Sequence, residues 1–169
     1  MSYLLDTNVL SELRRKAPDA RVFEWFALRP PVTLYLSVLT LGEIRKGIGT
    51  VPSAKRRAAL ADWLETGLPA YFSGRILTID ERVADRWGRM VAEAGRPLPA
   101  VDSLLAATAA THGLVMVTRN VRDFEGLGMP VIDPWADHDG TPSSGLRVQE
   151  PQAGPRLSAP RARTRTRRS

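Results

Sequence analysis

Short apolar runs alternate with helical patterns along most of this chain, and this alternation constrains the fold more than any other feature. The clearest run is 114–118, Leu-Val-Met-Val-Thr, which predicts a buried strand, and weaker strand patterns lie at 3–5, 33–37, 76–78 and 130–132. Strands that alternate with helices pair in parallel, because each right-handed crossover packs a helix against the sheet. The pattern therefore predicts an α/β protein with a mostly parallel central sheet and helices on both faces.

The helices between these strands are marked by caps and apolar spacing. Asp19 and Asp80 stand at expected N-cap positions, residues 53–66 are amphipathic, and an alanine-rich helix runs from Ala100 to His112. Two of these helices carry aromatic and large apolar side chains that are either core residues or partner surfaces. These side chains are Phe23, Trp25 and Phe26 on one helix and Leu60, Trp63 and Leu64 on the other.

Composition divides the chain near residue 136. Residues 1–139 hold equal numbers of acidic and basic side chains, whereas the stretch from Gly140 onward holds seven arginines and only Glu150, so the net charge of +6 resides there. That stretch is rich in Pro, Gly, Ser and Arg and poor in large apolar residues, which predicts disorder. We therefore expect one folded domain over 1–136 and a disordered tail over 137–169, in which 161–168 binds RNA non-specifically or has no role.

The rest of the composition indicates in which cellular compartment the protein is found. Cysteine is absent, which excludes disulfides, thiolate metal sites and cysteine nucleophiles. No apolar run approaches the roughly 18 residues that span a bilayer, and the first residues lack the basic and apolar regions of a signal peptide. We expect a cytoplasmic protein.

Four acidic residues are expected to meet at one edge of the sheet. Asp6 directly follows the first strand, and Asp123 follows the strand at 114–118. Asp102 opens the alanine-rich helix, and Glu43 lies one turn into the helix after the second strand. Ligands of open parallel sheets bind beyond the carboxyl ends of the strands, so the four side chains can converge on one pocket there.

Four carboxylates in one pocket repel one another, so that some stay protonated or a cation keeps them ionised. Oxygen ligands without His or Cys favour Mg²⁺ or Mn²⁺, and such a site suits phosphate chemistry. Each acid also has an ordinary alternative. Asp6 is a possible helix N-cap, Asp102 a first-turn charge, Glu43 a partner of a surface lysine and Asp123 a turn residue.

Four segments, in this order, resemble the PIN-domain ribonucleases. They are 4–10 (LLDTNVL), 37–44 (SVLTLGEI), 102–109 (DSLLAATA) and 117–124 (VTRNVRDF), and the ending 131–135 (VIDPW) also resembles the family's last strand and exit. The similarity spans about residues 2–135. The small size further resembles the VapC-type toxins of type II toxin–antitoxin systems.

The resemblance implies a PIN-like fold and an endoribonuclease toxin, dependent on Mg²⁺ or Mn²⁺, that cleaves tRNA or rRNA and leaves 5′-phosphate and 3′-hydroxyl ends. By matching positions, Asp6, Asp102 and Asp123 would hold a metal that activates a water, and Glu43 would complete the metal shell or orient that water. Thr118 matches a Thr or Ser that hydrogen-bonds within the site, and Asn8 would orient the Asp6 carboxylate. The resemblance also implies inhibition by a cognate antitoxin and a homodimer.

RNA approaching an acidic pocket needs basic residues around it. The candidates flank the predicted acids, and each is otherwise an ordinary surface charge: Arg14, Arg15, Lys16, Arg45, Lys46, Arg119 and Arg122. Two other functions stay open. One is a PIN-fold RNA-binding or complex module without activity, and the other is a phosphatase with an aspartate nucleophile, although Asn8 stands where its second acid would be.

Overall fold

The computed structural model describes residues 1–136, so the predictions for 137–169 lie outside the described residues. The strands are β1 (Tyr3–Leu5), β2 (Leu34–Ser37), β3 (Ile76–Leu77), β4 (Val115–Val117) and β5 (Val131–Ile132). The helices are α1 (Thr7–Leu13), α2 (Ala20–Ala27), α3 (Val38–Gly49), α4 (Ala54–Asp62), α5 (Leu68–Tyr71), α6 (Glu81–Glu93), α7 (Ala100–Thr111) and α8 (Val121–Phe124).

The five strands form one parallel sheet in the order β3-β2-β1-β4-β5. The chain first builds outward from β1 through β2 to β3, then crosses to the other side of β1 for β4 and β5. Successive strands are therefore added on opposite sides of β1, and the switch falls between β1 and β4. An open parallel sheet forms its ligand crevice at such a switch point. This architecture confirms the predicted α/β fold.

Alternate residues of each strand point to opposite faces of the sheet and pack into two cores, one on each face. Leu5, Leu34 and Val117 pack into a core that also takes in side chains from α1 to α5. Leu4 and Met116 point to the opposite face, into a core built with α6, α7 and α8. Both faces are covered, which explains why the strands read as continuous apolar runs.

Local signals set the helix boundaries as expected. The Asp80 carboxylate accepts a hydrogen bond from the Val83 N–H at 2.9 Å, and the Asp19 carboxylate accepts one from the Arg21 N–H at 2.9 Å. α7 ends before Gly113, whose φ of +64° suits a glycine that terminates a helix. The predicted bounds of this helix are thus confirmed to within one residue.

The predicted helix over 53–66 is confirmed, but its winding changes from α to π at Trp63. α4 ends at Asp62, and a wider π-helical turn, Trp63–Gly67, leads into α5. Pro69 has no N–H to donate to a carbonyl four residues earlier, so a regular α-helical ladder cannot run through this point. The turn carries Trp63 and Leu64 into the first core.

The aromatic side chains considered as partner surfaces lie mostly inside the protein. Trp25, Phe26, Trp63 and Leu64 are all buried in the first core, and Leu60 packs against it. These residues therefore stabilise the fold rather than present an apolar surface.

Within residues 1–136, none of the helices has the length and apolar character needed to cross a membrane.

Candidate active site

Asp6 lies at the junction where β1 becomes α1. Its backbone N–H donates to the Val117 carbonyl at 3.0 Å, which carries the β1–β4 pairing one residue past the strand. Its Oδ1 accepts a hydrogen bond from the Thr7 N–H at 2.6 Å and so caps the helix. The sequence allowed two roles for Asp6, an acid of the predicted pocket or a helix N-cap. The same carboxylate can fill both roles.

The other oxygen of Asp6 is held by two side chains across the β1–β4 crevice. Oδ2 accepts hydrogen bonds from the Thr118 hydroxyl at 2.6 Å and from the Asn8 side-chain amide at 2.7 Å. The Asn8 amide nitrogen also lies 3.0 Å from Thr118 Oγ1, which in turn accepts from the Asn120 N–H at 3.0 Å. This network fixes the carboxylate, as expected for Asn8 and Thr118.

Glu43 is tied to the same junction by a residue that the sequence analysis missed. The Thr7 hydroxyl donates to Glu43 Oε2 at 2.6 Å, which connects α1 to α3. The only signal in the sequence was the place of Thr7 directly after Asp6, which puts its hydroxyl in the first turn of α1 beside the predicted pocket.

Asp102 and Asp123 complete the group from the second face. Asp102 lies in the first turn of α7 and Asp123 in α8, so Asp123 belongs to a short helix rather than to the expected turn. Partial burial raises the pKa of Asp102, and the charges of Asp123, Asp6 and Glu43 raise it further. Asp102 therefore lies within electrostatic reach of the other three predicted acids, and Asp6 within reach of Glu43.

Asp6 itself is subject to opposing effects. Burial raises its pKa above 3.8 and the charge of Glu43 adds to the increase, whereas the hydrogen bonds from Thr118, Thr7 and Asn8 lower it. The net direction is upward. A buried carboxylate that resists ionisation near other acids is typical of a functional site.

The donor set fits a hard divalent cation, because it consists of carboxylate and hydroxyl oxygens whose mutual repulsion a cation would relieve. Within residues 1–136, no three acidic or histidine side chains stand close enough together to enclose an ion in their present positions. The charges and ligand types thus favour Mg²⁺ or Mn²⁺, while a closed coordination shell would require side-chain movement.

Several of the predicted basic residues already have partners. Arg15 pairs with Glu12 at 3.0 Å, and Arg45 pairs with Glu65 at 2.6 Å. Glu12 is a buried acid that the sequence analysis did not single out, and it also accepts a hydrogen bond from the Asp19 N–H at 2.9 Å. It therefore holds the α1–α2 loop together rather than joining the acidic group.

The other predicted basic residues lie at the surface. The Arg14 guanidinium stacks over Trp63 at 4.9 Å, and that of Arg119 stacks over Trp135 at 5.6 Å, distances that suit cation–π interactions. Lys16, Lys46 and Arg122 are exposed. Arg119 directly follows Thr118, and its backbone N–H lies 3.4 Å from the Asn8 side-chain oxygen, so it lies beside the β1–β4 crevice.

Comparison with known proteins agrees with this geometry. The PIN domain family model matches residues 3–128. The plasmid stability protein StbB of Pseudomonas syringae pv. tomato is 38% identical over 135 residues, covering 78% of this chain and 97% of that protein. The VapC ribonuclease Y4jK of Sinorhizobium fredii is 36% identical, covering 78% of this chain and 96% of that protein.

A solved structure shows the same likeness. The crystal structure of FitAcB from Neisseria gonorrhoeae contains a chain that is 35% identical and superposes with a TM-score of 0.74, covering 79% of this chain and 98% of that one. The matched family model extends over most of residues 1–136, and the relatives are matched over nearly their whole length. The chain therefore belongs to the PIN-domain family, whose VapC and FitB toxins are among its relatives.

Proposed function

We propose that this chain is an endoribonuclease toxin that hydrolyses RNA phosphodiester bonds with the help of Mg²⁺ or Mn²⁺. The observation that carries the proposal is the convergence of four carboxylates beside the β1–β4 crevice, where the charges of three of them raise the pKa of Asp102. Repulsion of this kind destabilises the folded protein unless a cation, bound together with the phosphate substrate, neutralises the carboxylates.

In this proposal, Asp6, Asp102 and Asp123 hold the cation. When bound, the cation neutralises charge on the phosphate and lowers the pKa of a water. Thr7 occupies Oε2 of Glu43, which leaves Oε1 to accept a proton from the attacking water and align it with phosphorus. Hydrogen bonds from Thr118 and Asn8 hold the Asp6 carboxylate in one orientation.

The names of relatives support the biological setting. Relatives include a tRNA(fMet)-specific endonuclease VapC of Shigella flexneri, 28% identical, and the solved structures include FitAB bound to an IR36 DNA fragment. We infer that this chain acts on tRNA or rRNA in the cytoplasm, forms a homodimer, and is neutralised by a cognate antitoxin protein.

The test is induction of the full chain in a host without the antitoxin, with growth and intact tRNA and rRNA measured together. We expect growth arrest with discrete RNA fragments, and we expect neither from Asp6→Asn. Asp85→Asn is the matched control, because Asp85 is an exposed acid on α6 that pairs with the exposed Arg89. Purified protein should cleave RNA in Mg²⁺ or Mn²⁺ and stop in EDTA. Arrest by Asp6→Asn equal to that of the wild type would contradict the proposal.

The two alternatives make different predictions. An inactive RNA-binding module would bind RNA without metal-dependent cleavage, and the presence of all four acids gives no reason for such a loss. A phosphatase with Asp6 as its nucleophile would need a second acid two residues later, where this chain has Asn8. Trapping of a phosphoenzyme would favour the phosphatase.

A further inference from the structure

The acidic site is surrounded by negative charge that the nearby basic residues do not offset. Three other acids act on Asp102 and raise its pKa further than burial alone does. Arg15 and Arg45, two of the basic residues that the sequence predicts near the acids, already pair with glutamates. RNA is a polyanion, so a strand at this crevice needs a cation that no acid of the protein has already neutralised.

Arg119 meets this requirement at the crevice itself. It directly follows Thr118, the donor to Asp6, and its backbone N–H lies 3.4 Å from the Asn8 side-chain oxygen. The residue is exposed, and within residues 1–136 no carboxylate forms an ion pair with it. The backbone of Arg119 is therefore held by the network that orients Asp6, while its positive charge is available to a ligand.

A tryptophan restricts where this guanidinium lies. The guanidinium carbon of Arg119 lies 5.6 Å from the centre of the Trp135 ring, within the range of a cation–π interaction. Trp135 is 9% exposed and packs into the first core, and its N–H donates to the Asp133 carboxylate at 2.8 Å. An arginine stacked on such a fixed ring loses less conformational freedom on binding a ligand than a free surface arginine does.

The stacked pair lies toward the β5 side of the acids. Thr118 directly follows β4, and its N–H donates to the Ile132 carbonyl at the end of β5 at 3.0 Å. Trp135 comes three residues after Ile132. Asp6 follows β1, on the other side of β4. The guanidinium is therefore displaced from Asp6 along the carboxyl edge of the sheet, in the direction of β5.

We propose that Arg119 binds a backbone phosphate of the RNA beside the scissile phosphate, on the β5 side of the acids, and that Trp135 is the positioning residue for its guanidinium. A planar guanidinium donates two parallel hydrogen bonds to phosphate oxygens. The RNA strand thus crosses the carboxyl ends of β4 and β5 as it leaves the acidic site. This inference rests on the proposed ribonuclease function, because it assigns the contact to the same RNA.

The first test measures RNA binding in EDTA, which removes the metal needed for cleavage. Fluorescence anisotropy follows binding of the full chain to a labelled tRNA over a series of salt concentrations. Arg119→Gln should reduce the slope of log affinity against log salt by about 1, the value for one phosphate contact. Arg21→Gln is the matched control and should keep the slope, because Arg21 is an exposed arginine of α2 that pairs with Asp19 at 3.1 Å.

The second test asks whether Trp135 acts through Arg119. Trp135→Leu should weaken RNA binding about 2- to 5-fold, the loss expected for one exposed cation–π pair. Trp135→Phe should weaken it less, because an aromatic face remains. In the Arg119→Gln background, Trp135→Leu should cause no further loss, since the pair then has no interaction to lose. A tryptophan that only stabilises the core would weaken binding equally in both backgrounds.

The third test locates the contacted phosphate. Linkages of a short RNA that the wild type cleaves are replaced one at a time by uncharged methylphosphonates, and KM and kcat are measured in Mg²⁺. One linkage beside the cleaved bond should raise the KM of the wild type. Arg119→Gln should show this raised KM on the unmodified RNA, with no further increase at that linkage. The kcat should stay unchanged, because a contact away from the reacting phosphate binds the substrate and the transition state equally.

Three results would overturn the proposal while leaving the ribonuclease function intact. They are an unchanged salt slope for Arg119→Gln, a full effect of Trp135→Leu in the Arg119→Gln background, and a fall in kcat at unchanged KM, which would assign Arg119 to the reacting phosphate itself. Absence of cleavage by the wild type in both Mg²⁺ and Mn²⁺ would instead contradict the proposed function. The binding test in EDTA keeps the two failures distinguishable.

Discussion

The two halves of the acidic site are held in place by opposite means. Asp6 sits at a strand end, where the Thr7 backbone and the side chains of Asn8 and Thr118 donate hydrogen bonds to its carboxylate. Asp102 and Asp123 project from α7 and α8, and within residues 1–136 neither carboxylate accepts a hydrogen bond from another residue. Hydrogen bonds hold one half in place, whereas in the other half partial burial first, and then the charges of neighbouring acids, raise the pKa of Asp102.

The difference shows what each half contributes. Hydrogen bonds to the ionised form hold Asp6 ready in one geometry, so its position is independent of any ligand. Asp102 carries a charge that nothing in the described protein compensates, so its ordering depends on what binds. An Asp→Asn substitution in either half should therefore reduce the rate of cleavage. Its effect on the stability of the fold should differ between the two halves.

The largest expected effect is on cleavage. Asp6→Asn and Asp102→Asn should each reduce the rate in Mg²⁺ by at least about 100-fold, because loss of even an outer partner of a metal site typically costs 10–100-fold. The rate is measured on purified protein with a labelled RNA, and Asp85→Asn should cleave like the wild type. If only one half mattered, one of the two variants would keep its activity.

Thr118→Val should damage the ordered half in both function and stability. The substitution removes the donor to Asp6 Oδ2 and an acceptor for the Asn8 amide and the Asn120 N–H, all at a fully buried position. We expect a loss of about 1.5–3 kcal/mol in the free energy of unfolding and a 10–100-fold loss of cleavage, on the order seen for outer partners of metal sites. Urea unfolding and RNA cleavage measure the two effects.

Thr33→Val is the control for that experiment. The Thr33 hydroxyl donates a single exposed hydrogen bond to the Pro30 carbonyl at 2.7 Å, so its loss should change stability little. Equal effects of the two substitutions would show that the Thr118 network has no special role.

Thr7→Val should have a smaller effect, confined to the link between the ordered half and Glu43. It frees Glu43 Oε2 without altering the Asp6 cap, which uses the Thr7 backbone. We expect a reduction in kcat of about 10-fold, at the lower end of the 10–100-fold range for such outer hydrogen bonds. Thr7→Ser keeps a hydroxyl and should restore most of the rate. A loss that Ser does not rescue would mean that packing of the methyl group matters instead.

The smallest effect concerns the pH dependence of stability without metal. Because the pKa of Asp102 is raised above its ordinary value of 3.8 in the fold, its contribution to stability is complete below that pH. The contribution is lost as pH rises through the raised pKa. Asp102→Asn removes this loss, so in EDTA at pH 7 the variant should have the higher Tm, and the difference should vanish near pH 3.

Adding Mg²⁺ provides the control for the pH experiment. The wild type should gain more in Tm than Asp102→Asn, since the cation binds the folded state through the charge that the variant lacks. A lower Tm for the variant in EDTA at pH 7 would contradict the view that burial and the charges of neighbouring acids disfavour the ionised form of Asp102.

Strand ends and helix starts were enough to place the acids. Asp6, Glu43 and Asp102 follow directly from reading where apolar runs end and helical patterns begin, because parallel strands present the same edge. The α-helical setting of Asp123 was missed, since four residues are too few to show a helical period. The register of the sheet, and therefore the neighbours of Asp6, required the fold itself.

Contacts between distant segments escaped prediction for a physical reason. The bond from Thr7 to Glu43 joins residues 36 positions apart and depends on how α1 packs against α3. The pairing of Arg15 with Glu12 depends on burial of Glu12, which its charge alone would argue against. Such outcomes are set by packing, so residue type and spacing do not reveal them.

The central place of β1 also has a consequence for the order of synthesis. β1 is made well before its partner β4, and Thr118, which directly follows β4, lies 112 positions after the Asp6 to which it donates a hydrogen bond. Contacts of such long sequence separation form late in folding, and domains fold as units when synthesis is nearly complete. A nascent chain that still lacks β4 has no assembled acidic site, so the ribosome that makes this protein is not exposed to the finished site until nearly the whole domain has emerged.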